Sequence, residues 1–403
     1  FRRVLFRSHL TTSLFYQRLI FFTIHSQRLH IVSFNVPYPA DYGGVIDVYY
    51  RLKALYNIGV DIHLHSFTYN RPEAPELERY CSKVTYYHRR TGILSALTQR
   101  PYIVESRDCK ELVSDLMKDD DPILLEGLHC CAVLEAIDGR RIMVRAHNVE
   151  HEYYSRLAAT STSLYRRLYL KSDAYKLERY EPILNKAAAI FAVTESDKTH
   201  FLSIGCKNVI LMPSSHANDE VVSVPSDLSQ MADNYALYHA DLSVPENMDA
   251  VNYLIENIFS KSTQRFVVAG RNPSKSLSDR LLSLSNVTLK ANPDDKTMQR
   301  LISNSQVLIL VTFMPTGLKL KLLNSLYAGR HCLVNSAMVA GTSLDKVCTV
   351  ANTPEAQLQA LDHLMVTPFN QQDIDNRRRL LGSLYSNQSN ARRLLDEMKL
   401  LNL

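Results

Sequence analysis

The residues with most chemical promise lie in one segment, FMPTGLKLKLLNSLYAGRHCLVN, Phe313 to Asn335. Thr316 is suited to cap a helix from Gly317 to Ala328, and the first turns of that helix carry Lys319 and Lys321. Free amides at a helix N-terminus bind anions, and two lysines add mobile positive charge, a combination suited to a diphosphate. Lys321, Asn324 and Ser325 share one face at helical spacing, while Leu318, Leu322 and Leu326 form an apolar stripe and Gly329 ends the helix. The plain alternative is an amphipathic helix with solvated lysines. A second anion-suited segment is PYPADYGG, where Gly43 and Gly44 follow a strand and precede a helix. Backbone without side chains can lie against a phosphate there, although an ordinary strand-to-helix turn needs the same residues. The segment lacks the full G-x-G-x-x-G fingerprint, which disfavours a dinucleotide enzyme.

His147 follows the apolar strand IMVRA, at a position where its side chain would face a cleft, and Glu150 comes one turn later. Either residue could act on a substrate or merely order the loop. His147, Glu150 and His151 also spell H-x-x-E-H, an inverted zinc-protease motif. That chemistry needs both histidines on one helix face, and a first histidine placed at a strand end breaks the geometry, so no metal is expected. Asn247 and Arg271 come after the first two strand regions of the second half, where a diphosphate or base could lie; as a cap and a surface residue they would need no ligand. No trustworthy pair of carboxylates suggests a glycoside hydrolase.

These residues need an α/β frame. HIVSFNV, a glycine loop, a helix over Val45–Ile58 and DIHLHSF read as one β-α-β unit of a parallel sheet. Strands follow at PILLE, IMVRA, AAIFAVT and NVILM, with a long helix over Ser163–Asn185 and a polar, linker-like stretch over Pro213–Asn234. The pattern restarts with YALYHA, a helix over Asn247–Phe259, RFVVA, Val287–Lys290, VLILV, His331–Asn335 and Val347–Val350. Helices over Pro354–Met365, Asp375–Tyr385 and Ser389–Leu401 complete it. Two doubly wound units of this kind bind ligands at the carboxyl ends of their strands.

The 403 residues exceed what one core usually serves. A net charge of +5 suits an anionic substrate or a membrane surface without calling for nucleic acid. Seven cysteines without a C-x-x-C pair read as buried free thiols of a reducing compartment. Phe1 to Gln27 has no steady period, and Leu19 to Ile24 is too short to span a bilayer, so residues 1–28 are expected to be a leader outside the domains. Ser163 to Tyr180 mixes five basic residues with tyrosines and suits either a lipid surface or a solvated helix face.

The Phe313–Asn335 segment resembles the donor-binding helix of the retaining group 1 (family four) glycosyltransferases of the GT-B fold. Gly317, Lys319, Lys321 and Gly329 match the family pattern, while Thr316 and Asn324 stand where two glutamates are usual. PYPADYGG, VRAHNVEHEYY, FAVTESDKTHF, YHADLSVPENMDAVNYL and FVVAGRNPS match further family segments in the same order, over about Leu29 to Met398. HADLSVPEN lacks the Arg and Lys that many relatives carry after that strand, which places more of the phosphate binding on Lys319 and Lys321.

The resemblance implies α/β architecture with two Rossmann-like domains facing across a cleft. Residues 29–225 would form the acceptor side and 226–386 the donor side, with a helix over 387–403 crossing back. It implies transfer of a sugar from a UDP- or GDP-type donor to a glycan or lipid-linked acceptor, with retention and without a required cofactor. The protein would then be cytoplasmic, with possible peripheral contact at the inner membrane face. His147 and Glu150 become the catalytic candidates. Gly43, Gly44, Asn247, Arg271, Thr316, Gly317, Leu318, Lys319, Lys321 and Asn324 become donor-binding candidates. A nucleotide-sugar epimerase or a catalytically weak binding subunit of the same fold are the alternatives.

Overall fold

A computed structural model describes residues 28–92, 95, 98–161, 163–218, 221, 234–314 and 317–400. Thr316 and the segment over residues 1–27 lie outside the described residues. The chain builds two parallel sheets. Among the described residues the first has seven strands, in the order Lys83–His88 (β3), Asp61–Thr68 (β2), Arg28–Ser33 (β1), Ile123–Glu126 (β4), Ile142–Ala146 (β5), Ala189–Ala192 (β6) and Val209–Leu211 (β7), and the second has six, in the order Val287–Ala291 (β10), Phe266–Arg271 (β9), Ala236–Asp241 (β8), Val307–Leu310 (β11), His331–Val334 (β12) and Thr349–Val350 (β13). In the first, β1 (Arg28–Ser33) sits between β2 (Asp61–Thr68) and β4 (Ile123–Glu126), with Ile31 opposite both Leu64 and Leu124. In the second, β8 (Ala236–Asp241) sits between β9 (Phe266–Arg271) and β11 (Val307–Leu310) in the same way. Each sheet therefore reverses its winding beside its first strand, and a crevice opens at the carboxyl ends there.

Helices on both faces require strands that are apolar on both sides. Accordingly every residue of β4, β5 (Ile142–Ala146), β6 (Ala189–Ala192) and β11 is buried. The helices that frame the crevices are α1 (Gly43–Asn57), α2 (Glu150–Thr160), α3 (Leu164–Tyr180), α4 (Glu195–Ser203), α5 (Pro245–Asn257) and α6 (Leu320–Ala328), with α7 (Gln371–Leu384) and α8 (Asn387–Leu400) completing the described chain. Val45, Val48, Leu52 and Leu55 seat α1 on the first core, and Leu322, Leu323 and Leu326 seat α6 on the second. Ala391, Leu394 and Met398 of α8 belong to the first core, although α7 packs on the second through Leu381.

Several elements differ from the sequence reading. The helix expected over Gly317–Ala328 begins at Leu320, with Lys319 in the cap position. Gly317 has φ 70°, a left-handed conformation that cannot start a right-handed helix. The helix expected over Ser163–Asn185 ends at Tyr180, and Pro182 then stands in a separate 3-10 turn over Glu181–Lys186. An edge strand β3 (Lys83–His88) pairs with β2, unanticipated because its mixed, half-exposed residues lack a buried run. The stretch starting at Pro213 is not simply solvated, because Ser215 and His216 are buried. All seven cysteines are free, and most are buried.

Candidate active site

The crevice of the first sheet has a floor of buried charge. Asp47 and Arg51 lie one turn apart on α1, Glu126 ends β4, Arg145 is next to last in β5, and His147 follows it. Arg145 Nε donates to Asp47 Oδ2 at 2.9 Å, and Arg51 Nε donates to Glu126 Oε1 at 3.0 Å. Arg145 also reaches the carbonyls of Phe191 and Met212, and the Ser215 amide donates to Asp47 Oδ1 at 2.7 Å. Burial pushes the Asp47 carboxyl up, but the Arg145 and Arg51 guanidiniums outweigh it and hold the group well below the usual range. Buried charges persist only when paired in this manner.

His147 closes the network. Its Nε2 lies 3.0 Å from Glu126 Oε2 and its Nδ1 lies 3.3 Å from Asp47 Oδ2. Burial disfavours the imidazolium, but hydrogen bonds to Asp47 and Glu126 prevail and raise its pKa. With a carboxylate at each nitrogen, the ring has no basic lone pair to offer a substrate. It can still present its carbon edge and its backbone, with a stronger tendency than a free imidazole to carry a positive charge. His151, the second histidine of H-x-x-E-H, turns instead to Glu181 at 3.3 Å, so the two histidines do not converge.

Two cavities open above this floor, both walled by residues of both sheets' halves. One, about 450 Å³, includes Tyr42, Gly43, Gly44, His147 and Glu150, and opposite them Gly317 and Leu318. Gly43 is open to space, whereas a Cβ on Gly44 would lie 2.7 Å from the ring of Phe34. Phe34 in turn stacks on His129 at 5.1 Å and meets His147 edge-on at 5.5 Å. Glu150 is only 3 % exposed, and burial raises its pKa to about 7.

The other cavity, about 330 Å³, is walled by Asp41, His239, Arg271, Gln299, Lys321 and Asn324, among others. Leu320, the first residue of α6, lines both. The start of α6 is therefore the partition between them, flanked by Lys319 and Lys321. Lys321 Nζ donates to Asn247 Oδ1 at 2.9 Å and lies 5.3 Å over the Tyr238 ring. Burial lowers its pKa to about 8, only partly offset by Glu246. Lys319 is lowered by the same cause and lies 3.4 Å from Glu246.

Asn247 also donates to the Asp241 carbonyl at 2.9 Å, which fixes the amide against the end of β8. Asn324 Oδ1 accepts from Asn218 at 2.9 Å and from Gln299 at 3.5 Å. Arg271 ends β9, mostly exposed, 3.9 Å from Asp295. Ser325 is buried and bonded to His239 at 2.8 Å, so it does not share the open face of Lys321 and Asn324.

Comparison with solved structures places this architecture. A Rickettsia africae glycosyltransferase superposes with a TM-score of 0.64 at 12% identity, over 94% of this chain and 99% of its own. Anabaena HepE, solved in complex with UDP and glucose, gives 0.63 at 12% identity over 93% and 99%. The fold is GT-B.

The lipopolysaccharide outer core galactosyltransferase WaaB is a further GT-B neighbour, with a TM-score of 0.60 at 10% identity over 90% of this chain and 98% of its own. At the sequence level, the chain is 23% identical over 360 residues to an uncharacterized 44.6 kDa protein in the cps region of Klebsiella pneumoniae, covering 84% of this chain and 88% of that protein. No family model matches the chain. Both cavities are lined by residues that accompany the first sheet and residues that accompany the second. Glu126, His129 and Glu246 carry no local sequence signal, since their partners are distant in the chain, and Asp47 has only its i,i+4 spacing to Arg51. For Glu126, His129 and Glu246, position at or just beyond a strand end is the remaining pointer.

Proposed function

We propose that the protein is a glycosyltransferase that moves a sugar from a UDP- or GDP-type donor to a glycan or lipid-linked acceptor with retention of configuration. The observation that carries this reading is the start of α6, which separates two cavities and is flanked by Lys319 and Lys321. A donor with its nucleoside beside Arg271 and Asn324 and its sugar beside His147 and Glu150 would lay its diphosphate across that partition. As the glycosidic bond breaks, negative charge grows on the leaving diphosphate. The lysines and the free amides of α6 would then bind the transition state more tightly than the ground state. The ring of His147 and the open backbone at Gly43 would face the same region. HepE is described with UDP and with UDP-glucose, which supports a donor of this class.

Within this proposal the acceptor side has a membrane-facing element. α3 exposes Leu164, Tyr165 and Leu168 beside Arg166, Arg167 and Lys171, a surface suited to an anionic leaflet that holds a lipid-linked acceptor. Among the described residues, no helix is long and apolar enough to cross a membrane.

Asn324 in place of a glutamate favours the second reading, a weakly catalytic binding subunit. Its amide is already held by Asn218 and Gln299, and a neutral oxygen accepts a ribose hydroxyl more weakly than a carboxylate would. Asp47 and Glu126, committed to arginines beneath the cavities, offer an epimerase no free carboxylate.

Calorimetry with UDP, GDP and their sugars, followed by product analysis from purified protein, tests the proposal. Binding of a nucleotide sugar and formation of product with the donor's anomeric configuration is expected. Asn324→Glu should weaken binding of the free diphosphate by adding negative charge near the lysines. Binding without turnover would favour the subunit reading, and no nucleotide binding at all would remove the donor site.

A further inference from the structure

Away from the cleft, three side chains from three elements converge. His151 is the second residue of α2, Glu181 opens the 3-10 turn that follows α3, and His200 lies within α4. Glu181 Oε2 is 2.6 Å from His200 Nε2 and 3.3 Å from His151 Nδ1. The two imidazole centroids are 5.3 Å apart, and one ligand atom from each residue lies within 4.8 Å of the others. We propose that His151, Glu181 and His200 bind one divalent cation of the zinc class.

The donor set fits such an ion. Two imidazole nitrogens and one carboxylate oxygen suit zinc and its first-row neighbours rather than calcium or magnesium. Bonds of about 2.0–2.1 Å in a tetrahedron place ligand atoms about 3.3 Å apart. The His151–Glu181 separation already meets that spacing, and the His200 contact needs to open by less than about 1 Å.

Hydrogen bonding among the three leaves ligand atoms unserved. Glu181 is 2 % exposed, yet its Oε1 is buried without a hydrogen-bond partner. His151 Nδ1 is also buried and is not aligned to hydrogen-bond with the carboxylate beside it. Unserved buried polar atoms cost free energy, which a cation held by His151 Nδ1 and Glu181 Oε2 would recover, with Oε1 as the second oxygen of the same carboxylate. A second cluster, His30 with Asp119 and Asp121, lacks this feature, because both ring nitrogens of His30 have partners at 2.9 Å.

The ion would have a positioning role. Glu150 faces the cleft, and the next residue, His151, faces the cluster. A cation held there would clamp the first turn of α2 to α4 and to the turn after α3. The site needs no nucleotide and stands whether or not the chain is a transferase.

The test uses the full chain, stripped with a chelator and titrated with Zn²⁺ by calorimetry at neutral pH. One equivalent should bind and raise the unfolding midpoint. Loss of a ligand in His200→Gln or Glu181→Gln should weaken Zn²⁺ binding more than about tenfold, while His30→Gln leaves it unchanged. Failure of the wild type to bind zinc, or equal binding by His200→Gln, would overturn the proposal. If the variants do not fold, Co²⁺ added to the wild type decides. Intense visible bands of a tetrahedral site support the proposal, and the weak spectrum of an octahedral aqua ion refutes it.

Discussion

Replacing Lys321 by Met keeps most of the buried stem and removes the charge. A charge-assisted hydrogen bond contributes about 1.5–3 kcal/mol, or about ten- to hundredfold in Kd for a nucleoside diphosphate. The lower end is expected, because turning to a phosphate breaks the 2.9 Å bond that Lys321 makes to Asn247. The lysine also gives a second, independent readout. Burial sets its pKa at about 8 in the free protein, and a bound phosphate would restore the charged form. Wild-type Kd should therefore rise by about tenfold in all above about pH 8 and level off once the bound lysine also titrates, and Lys321→Met should flatten that rise, leaving only what Lys319 contributes.

Stability moves in the opposite direction. The native state disfavours the charged amine, so the ligand-free protein gains stability as pH rises from about 8 towards the unfolded lysine value. Weaker binding at high pH thus cannot be mistaken for unfolding. Calorimetry of UDP and GDP across this range, beside thermal unfolding, measures both. Equal Kd values and equal pH slopes for wild type and mutant would refute a phosphate role for Lys321.

Glu150→Gln should raise the unfolding midpoint at pH 8 and leave it unchanged at pH 4. Burial lifts the native carboxyl to about 7, so wild-type stability falls as pH rises from the unfolded value through about 7. The amide escapes that loss, worth up to about 3 kcal/mol, and no gain at pH 8 would show that the carboxylate is better solvated than its burial implies. Gly43→Ala should unfold at the wild-type temperature, since nothing lies within 4 Å of the added carbon, yet bind the nucleotide sugar more weakly. Gly44→Ala should lower the midpoint by driving Phe34 towards His129, and equal midpoints for both variants would contradict that packing.

The architecture is legible because buried parallel strands advertise themselves. IMVRA and VLILV are apolar runs bounded by polar segments, and their alternation with helices yields two doubly wound sheets. β3 is not legible, since KVTYYH sits at an edge and needs only partial burial. Lys319 and Lys321 can be found from their spacing, and the structure brings Lys321, Asn324 and Arg271 to one cavity wall. The start of α6 cannot be found that way, because it depends on the left-handed backbone at Gly317. The ion network under His147 is equally hidden. Asp47 and Arg145 lie 98 residues apart, and neither position is unusual until the sheet places them side by side.

The placement of α8 has a consequence for synthesis. Ala391, Leu394 and Met398 fill the first core, yet they leave the ribosome only after every strand of the second sheet. The N-terminal half must therefore wait, with an unfilled groove on its surface, while the C-terminal half is translated. The wait ends at a clasp, where the Asn387 amide donates to the His216 carbonyl at 2.7 Å and its oxygen accepts from the His216 amide at 3.2 Å. A premature stop just before α8 would spare the late-made half in sequence terms and injure the early-made one. Released chains truncated near Leu384 should accordingly show a protease-sensitive first half beside a complete second sheet.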